Sequence, residues 1–202
     1  MQIVRTVRMN RFVILSLLAA LGLAVPSAGV KAQAAKQQEP RTAIEAAISH
    51  MGQAGSLWIH ELAPAGEVLD ADDKKRRVHV TVHRVRNVTL QKEAAGFEVV
   101  VKSEGYPDDR AYIDIAELPA VLSALDYLRK FDPKTARTNA VRAGYTTKGG
   151  FMLINLSINR STPIAVFHAG GDLADISFAI DKFDAFEKLL IRGREIIDGV
   201  KK

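Results

Sequence analysis

Residues 96–130 read GFEVVVKSEGYPDDRAYIDIAELPAVLSALDYLRK, and residues 162–195 read TPIAVFHAGGDLADISFAIDKFDAFEKLLIRGRE. Each runs as strand, glycine turn, strand and amphipathic helix, and a constant offset of 65 residues aligns them without a gap. Val99 then falls on Ile164, Val101 on Val166, Gly105 on Gly170, Ile115 on Ile180, Leu118 on Phe183, Val121 on Phe186 and Leu125 on Leu190. Few letters agree, but the order of elements and the apolar positions do, which is the pattern of one unit used twice.

Working upstream, residues 56–62 (SLWIHEL) alternate as a strand, with Leu57, Ile59 and Glu61 on one face and Trp58 and His60 on the other. Residues 63–75 carry Pro, Gly and clustered charge and predict a loop. Val78, Val80 and Val82 alternate with His79, Thr81 and His83, a strand with one apolar and one polar face. The phase slips at Val85, which predicts a bulge or turn over residues 84–87. Residues 42–51 have Ile44, Ala47, Ile48 and Met51 at helical spacing behind Thr42 as N-cap. Working downstream, Pro119 is tolerated in the first turn of its helix, where its missing N–H has no partner to lose. Phe131-Asp132-Pro133 ends that helix. The second unit opens at residues 140–147, turns at Lys148-Gly149-Gly150 and returns through 151–159. The expected fold is α+β: two β-rich units, 57–131 and 140–202, each of four strands closed by an amphipathic helix (ββββα repeated). They follow a cleaved signal peptide over 1–34 and a spacer with a short helix over 35–56.

The signal peptide is read from Arg5, Arg8 and Arg11, then the apolar run FVILSLLAALGLAV from Phe12 to Val25, then small residues at Ala32 and Ala34. Fourteen apolar residues fall short of the roughly 20 a spanning helix needs, so cleavage is expected and no stable membrane anchor after it. The localisation that follows is periplasmic or secreted. The absence of cysteine excludes a disulfide framework. The formal charge of +5 belongs mostly to this segment: removing Arg5, Arg8, Arg11 and Lys31 leaves 24 basic against 23 acidic residues. So small a net charge argues against nucleic acid as a partner.

Five histidines raise the question of a metal, but His79 and His83 lie about 13 Å apart at about 3.3 Å per strand residue and read as exposed face residues. No metal site and no cofactor is expected. Residues 146–150 (TTKGG) hold the residue types of a phosphate loop in the wrong order and read as a hairpin. Two weak ligand-binding candidates remain: His168 with Asp172 beside a glycine turn, and the turn Asp108-Asp109-Arg110. A polyanion face would need Lys74, Lys75, Arg76, Arg77, Arg84 and Arg86 to gather, although Asp70, Asp72 and Asp73 precede them. No catalytic residue set can be named, because no nucleophile has a placed base.

Two strand-rich units each closed by a helix resemble in plan the Whirly-type single-stranded nucleic-acid binders and the Pur-type repeats, and a single copy resembles pleckstrin-like binding modules. None of those families' motifs is present, so the resemblance implies a shape and no ligand. The reading is an exported soluble non-catalytic binding or interaction module for an unknown protein or small-molecule partner. The alternatives are a single-stranded nucleic-acid or polyanion binder and, third, a hydrolase with a site near His168.

Overall fold

In the computed structural model, which describes residues 39–69, 75–159, 161–170 and 176–199, the alternation of valines over residues 78–82 becomes the second strand of a four-stranded antiparallel sheet. That sheet has the order β1 (Trp58–Leu69), β2 (Arg76–Asn87), β3 (Lys92–Ser103) and β4 (Asp109–Asp114). A single 3-10 turn and α2 (Leu118–Lys130) follow. A second antiparallel sheet has the order β5 (Ala140–Thr146), β6 (Phe151–Ile158), β7 (Ile164–Ala169) and β8 (Ile176–Ala179), and α3 (Lys182–Ile197) closes the chain. The short helix α1 (Ala43–His50) precedes them, with the Thr42 hydroxyl accepting from Glu45 N as its N-cap. The expected signal peptide lies outside the described residues.

The class is α+β, with two similar sheet units. Their inner faces meet in one core, which draws Val80, Phe97, Val99 and Ile113 from the first sheet and Leu153, Ala165, Phe167 and Phe178 from the second. The helices cross between the units. The backbone of α3 runs closest to β1 and β2 of the first sheet, while its residues Phe183 and Phe186 make edge-on and tilted ring contacts with Phe151 and Phe167 of the second. α2 lies against β5 and β6 of the second sheet, where buried Asn155 donates through Nδ2 to Leu128 O at 2.8 Å. Arg129 of α2 pairs with Asp184 and Glu187 of α3 and ties the two helices together. α3 can lie this near the first sheet only because Gly193 has no side chain: a Cβ there would sit 2.5 Å from Phe97 Cε1 and 3.0 Å from Val82 Cγ2.

Three expectations change. Residues 63–69 belong to β1 and not to a loop, because the register shift between Pro64 and Gly66 lets the strand continue to Leu69. β2 carries no bulge at 84–87; it stays in register with both neighbours to Asn87. The phase slips because the buried face changes, from the core side at Val82 to the opposite side at Val85 and Asn87. The gapless alignment fails on β7: the core-facing residues there are Ala165, Phe167 and Ala169, and Ile164 faces away. Phe97 pairs with Ile113 as Ala165 pairs with Phe178, so β3 matches β7 three residues further on than the helices imply. The missing residues come out of the hairpin: Val101 and Ala111 are ten positions apart, their counterparts Ala169 and Ile176 seven. An odd shift flips every side chain to the other face.

Leu125 and Leu190 are both fully buried, one on each helix. Leu125→Ala and Leu190→Ala should each cost about 2 to 5 kcal/mol in a urea titration, and by similar amounts. A near-silent result for either would mean that its helix does not seal the shared core.

Candidate functional site

The face of the first sheet that points away from the core is covered at one end by α1. Asp114 on β4 holds the start of that helix, accepting from Ala43 N and Ile44 N at 2.9 Å each. Ile44 then presses onto Gly96 of β3, where a Cβ would lie 3.0 Å from Ile44 Cγ2 and 2.4 Å from Ile113 O. The face beneath and beside α1 carries two neighbouring features.

One is a polar cluster with a residue from every strand of the sheet. His60 Nε2 on β1 lies 3.1 Å from His83 Nδ1 on β2, with ring centroids 5.1 Å apart. His83 Nε2 lies 3.4 Å from Glu98 Oε2 on β3, in ion-pair range but without hydrogen-bond alignment. Glu98 Oε1 accepts from Arg110 Nη1 at 3.1 Å and from the Tyr112 hydroxyl at 3.3 Å, both on β4. His83 is only 5% exposed, which corrects the expectation of an exposed face residue; His79 does remain partly open, 3.4 Å from Glu67. The neighbouring His83, above all, holds the Glu98 carboxyl below the usual carboxylate range, against the effect of burial and with help from Arg110 and Tyr112. Burial, then the adjacent His83, lowers the His60 imidazole below its ordinary value, and Glu98 opposes the shift. Burial and then Glu98 push the Tyr112 phenol up. The carboxylate and the two imidazoles could relay a proton. The only hydroxyl in the cluster, Tyr112, is turned onto Glu98.

The other feature is a cleft of about 410 Å³ between α1 and the Asn87 end of the sheet, walled by Ala46 and Ala47 on the helix and by Trp58, Val85, Asn87 and Ala94 on the strands. Asn87 is 1% exposed. Its Oδ1 accepts from Leu90 N at 2.8 Å, which fixes the amide orientation, and its Nδ2 has no hydrogen-bond partner. Trp58 Nε1 is likewise buried without a partner. A buried donor left unpaired costs about 1–3 kcal/mol, a penalty that folded proteins rarely keep without use.

The residues singled out from sequence do not converge. His168 lies on β7 opposite Met152, and Asp172 is outside the described residues. Asp108 pairs with Lys102 at 2.7 Å, Asp109 takes the core-side alternation of β4, and Arg110 points the other way to Glu98. Lys75 pairs with Glu104, Arg76 donates to Ser177 O at 3.2 Å, and Arg84 pairs with Glu93 at 2.5 Å. Arg77 lies at one end of β2 and Arg84 and Arg86 at the other, about 23 and about 30 Å along the strand; Lys74 lies outside the described residues. Residues 147–150 form the expected turn, with Lys148 N donating to Glu117 Oε1 at 2.9 Å. Among the described residues no group of three or more His, Asp or Glu could hold a metal ion, and no helix is long and apolar enough to cross a membrane.

The sequence did carry a signal for the residues that were missed. Trp58 and His60 share one face of β1, and His83, Val85 and Asn87 share one face of β2. What hid it was the reading of the phase slip at Val85 as a bulge. No protein-family model, curated protein or solved structure matches this chain.

The cluster gives stability a pH dependence of definite sign. His60 has a folded pKa below its unfolded value, so the unfolded chain gains the proton first as pH falls through about 6.5, and stability drops there. The depressed Glu98 stabilises above its unfolded value and loses that contribution as pH falls towards its folded one. Urea midpoints measured from pH 8 to pH 4 should fall below about pH 6.5. His60→Gln, which keeps a donor for His83 without titrating, should flatten the first part of that fall, and an unchanged profile would exclude the assignment.

Proposed function

We propose that the chain is an exported protein whose mature part acts as a non-catalytic binding module, with the cleft under α1 as its ligand site. The observation that carries the reading is the pair of buried, unpartnered N–H groups in a recess of about 410 Å³, where Ala46, Ala47, Val85, Leu90 and Ala94 stand beside polar residues such as Gln53, Ser56 and Lys92. This is the composition of a small-molecule site: apolar walls that supply affinity and a few placed polar groups that orient the ligand. The recess is built on the start of β1, the end of β2 and the start of β3, beyond the stretch of sheet that backs onto the core, and is closed by a helix pinned at its start by Asp114.

The export half of the proposal rests on the basic leader, the short apolar run and Ala32 and Ala34. On this reading residues 35–41 are the spacer that separates the cut from α1 and its N-cap Thr42. Intact-mass measurement on the extracytoplasmic fraction should give a chain starting at Ala35 or a few residues from it; a full-length mass, or retention in the cytoplasm, would overturn it. The shared ββββα order of the two units supports descent from one duplicated unit, with the β7–β8 hairpin shortened by three residues in the second copy.

The binding half is tested by filling the recess. Ala47 lines the cleft on α1 and lies outside the core, so Ala47→Leu should occupy the cleft without disturbing the core. In a thermal-shift screen of small molecules, a ligand at a hundred times its Kd stabilises by about 2.7 kcal/mol, about 5 to 10 °C for a chain of this size. The wild type should show such shifts and Ala47→Leu should not. Shifts of equal size in both proteins, or none in either, would exclude the cleft as a binding site.

A further inference from the structure

Trp58, Asn87 and Lys92 are consecutive partners across three strands: Trp58 is opposite Asn87 in the β1–β2 ladder, and Asn87 is opposite Lys92 in the β2–β3 ladder. All three therefore share one face, and all three line the cleft. Directly opposite side chains in an antiparallel pair have Cβ atoms about 4.5–5.5 Å apart, so the row presents an indole N–H, an amide N–H and an ammonium side by side. Each is a donor. Of the acceptors lining the cleft, Asn87 Oδ1 is taken by Leu90 N and Glu93 by Arg84, while Gln53 and Ser56 belong to the segment after α1 and not to this row. Lys92 has no carboxylate partner among the described residues, and Arg86 borders an adjoining cleft that shares Asn87 and Lys92.

We propose that the cleft binds a small carboxylate with an apolar tail, its two oxygens taken by Trp58 Nε1 and Asn87 Nδ2, its charge met by Lys92 and its tail laid between Ala46, Ala47, Val85 and Ala94. An ionised carboxylate is an acceptor-only group with two oxygens, which is the complement of two adjacent buried donors next to a cation. An alcohol supplies one acceptor and brings a donor that nothing in the row can receive. An amine brings a charge of the wrong sign. Neither indole nor amide nitrogen is open to solvent in the unliganded chain, so entry must part the C-terminal turn of α1 from the sheet. That end is the less tied one, since Asp114 holds the start of the helix and a Cβ added at Gly52 or Gly55 beyond it would meet nothing within 4 Å. This inference rests on the cleft being the ligand site and adds the ligand's chemistry.

Trp58 is the only tryptophan, so its emission reports the site directly. Octanoate, octanol and octylamine, which share a tail and differ in head group, are titrated at neutral pH into the full mature chain. Octanoate should shift Trp58 emission and bind at least tenfold more tightly than either of the others. Asn87→Asp keeps the acceptor for Leu90 N and replaces the donor by a like charge; it should weaken octanoate at least tenfold while leaving octanol unchanged. Trp58→Phe, followed by calorimetry, should weaken octanoate selectively as well, and serves should Asn87→Asp fail to fold. Equal binding of all three probes, abolished by Ala47→Leu, would overturn the carboxylate assignment and leave the binding module standing. Octanoate binding indifferent to Asn87→Asp, Trp58→Phe and Ala47→Leu would place it elsewhere and overturn the assignment too. A silent Trp58 with octanoate beside Ala47-dependent shifts from uncharged compounds would do the same; no response to any compound would remove the cleft as a site altogether.

Discussion

β2 is buried on both of its faces, at different points along its length, and the rest of the molecule is arranged around that. At Val78, Val80 and Val82 it faces the core, where α3 lies across it at the distance Gly193 permits. At His83, Val85 and Asn87 the opposite face is closed by α1 and its surroundings. A strand buried in this way must satisfy its polar side chains locally, because water does not reach them. Two of them, His83 and Asn87, are where the candidate site lies.

The two features on that face answer the burial differently. In the cluster, His83, Glu98, Arg110 and Tyr112 face one another, so buried charge is met by neighbours of complementary kind and the cost appears as shifted protonation. In the cleft, Trp58 and Asn87 keep donors that no neighbour meets. The first arrangement meets its charge internally, with only His83 Nε2 lacking an aligned hydrogen bond; the second leaves both of its donors unmet. Because His60 and Trp58 are two residues apart on β1, and His83 and Asn87 four apart on β2, the cluster forms the inner neighbour of the cleft and shares Val85 with it through the His60–Val85 pair. The cluster stands where His83 and Glu98 alternate with the core residues Val82, Phe97 and Val99, whereas the cleft lies on the end of the sheet where Ile59, Arg86 and Glu93 behind it are exposed, and its other wall is a helix of eight residues held at its first turn.

The joining of the two units follows the same economy. Each sheet has an apolar inner face too small to close on itself, and the helices settle across the boundary, α3 against β1 and β2 and α2 against β5 and β6. The phenylalanines of α3 span the remaining space to Phe151 and Phe167. Arg129 with Asp184 and Glu187 then links the helices at the rim, where the half-buried Arg129 and Glu187 specify which helix faces sit together.

By itself the sequence determined the order and kind of nearly every element, because period-2 and period-3.6 patterns of apolar residues are local: the Val78–Val82 alternation, the stripe Leu118, Val121, Leu125 and Leu128, and the Lys148–Gly150 turn all became what they spell. It also determined that two similar sheet units follow one another. Only the tertiary structure decided which face of each strand is buried, since a face is apolar or polar in sequence but is covered by whatever packs on it. Val85 looked like a bulge until α1 lay on its side of the sheet, Ile164 looked like the partner of Val99 until the shorter hairpin turned it outward, and His83 looked exposed until Glu98 and Tyr112 closed around it. The row Trp58, Asn87 and Lys92 lies in three separate strands, 29 and then 5 residues apart along the chain, and no local pattern joins residues whose only relation is the register of two ladders.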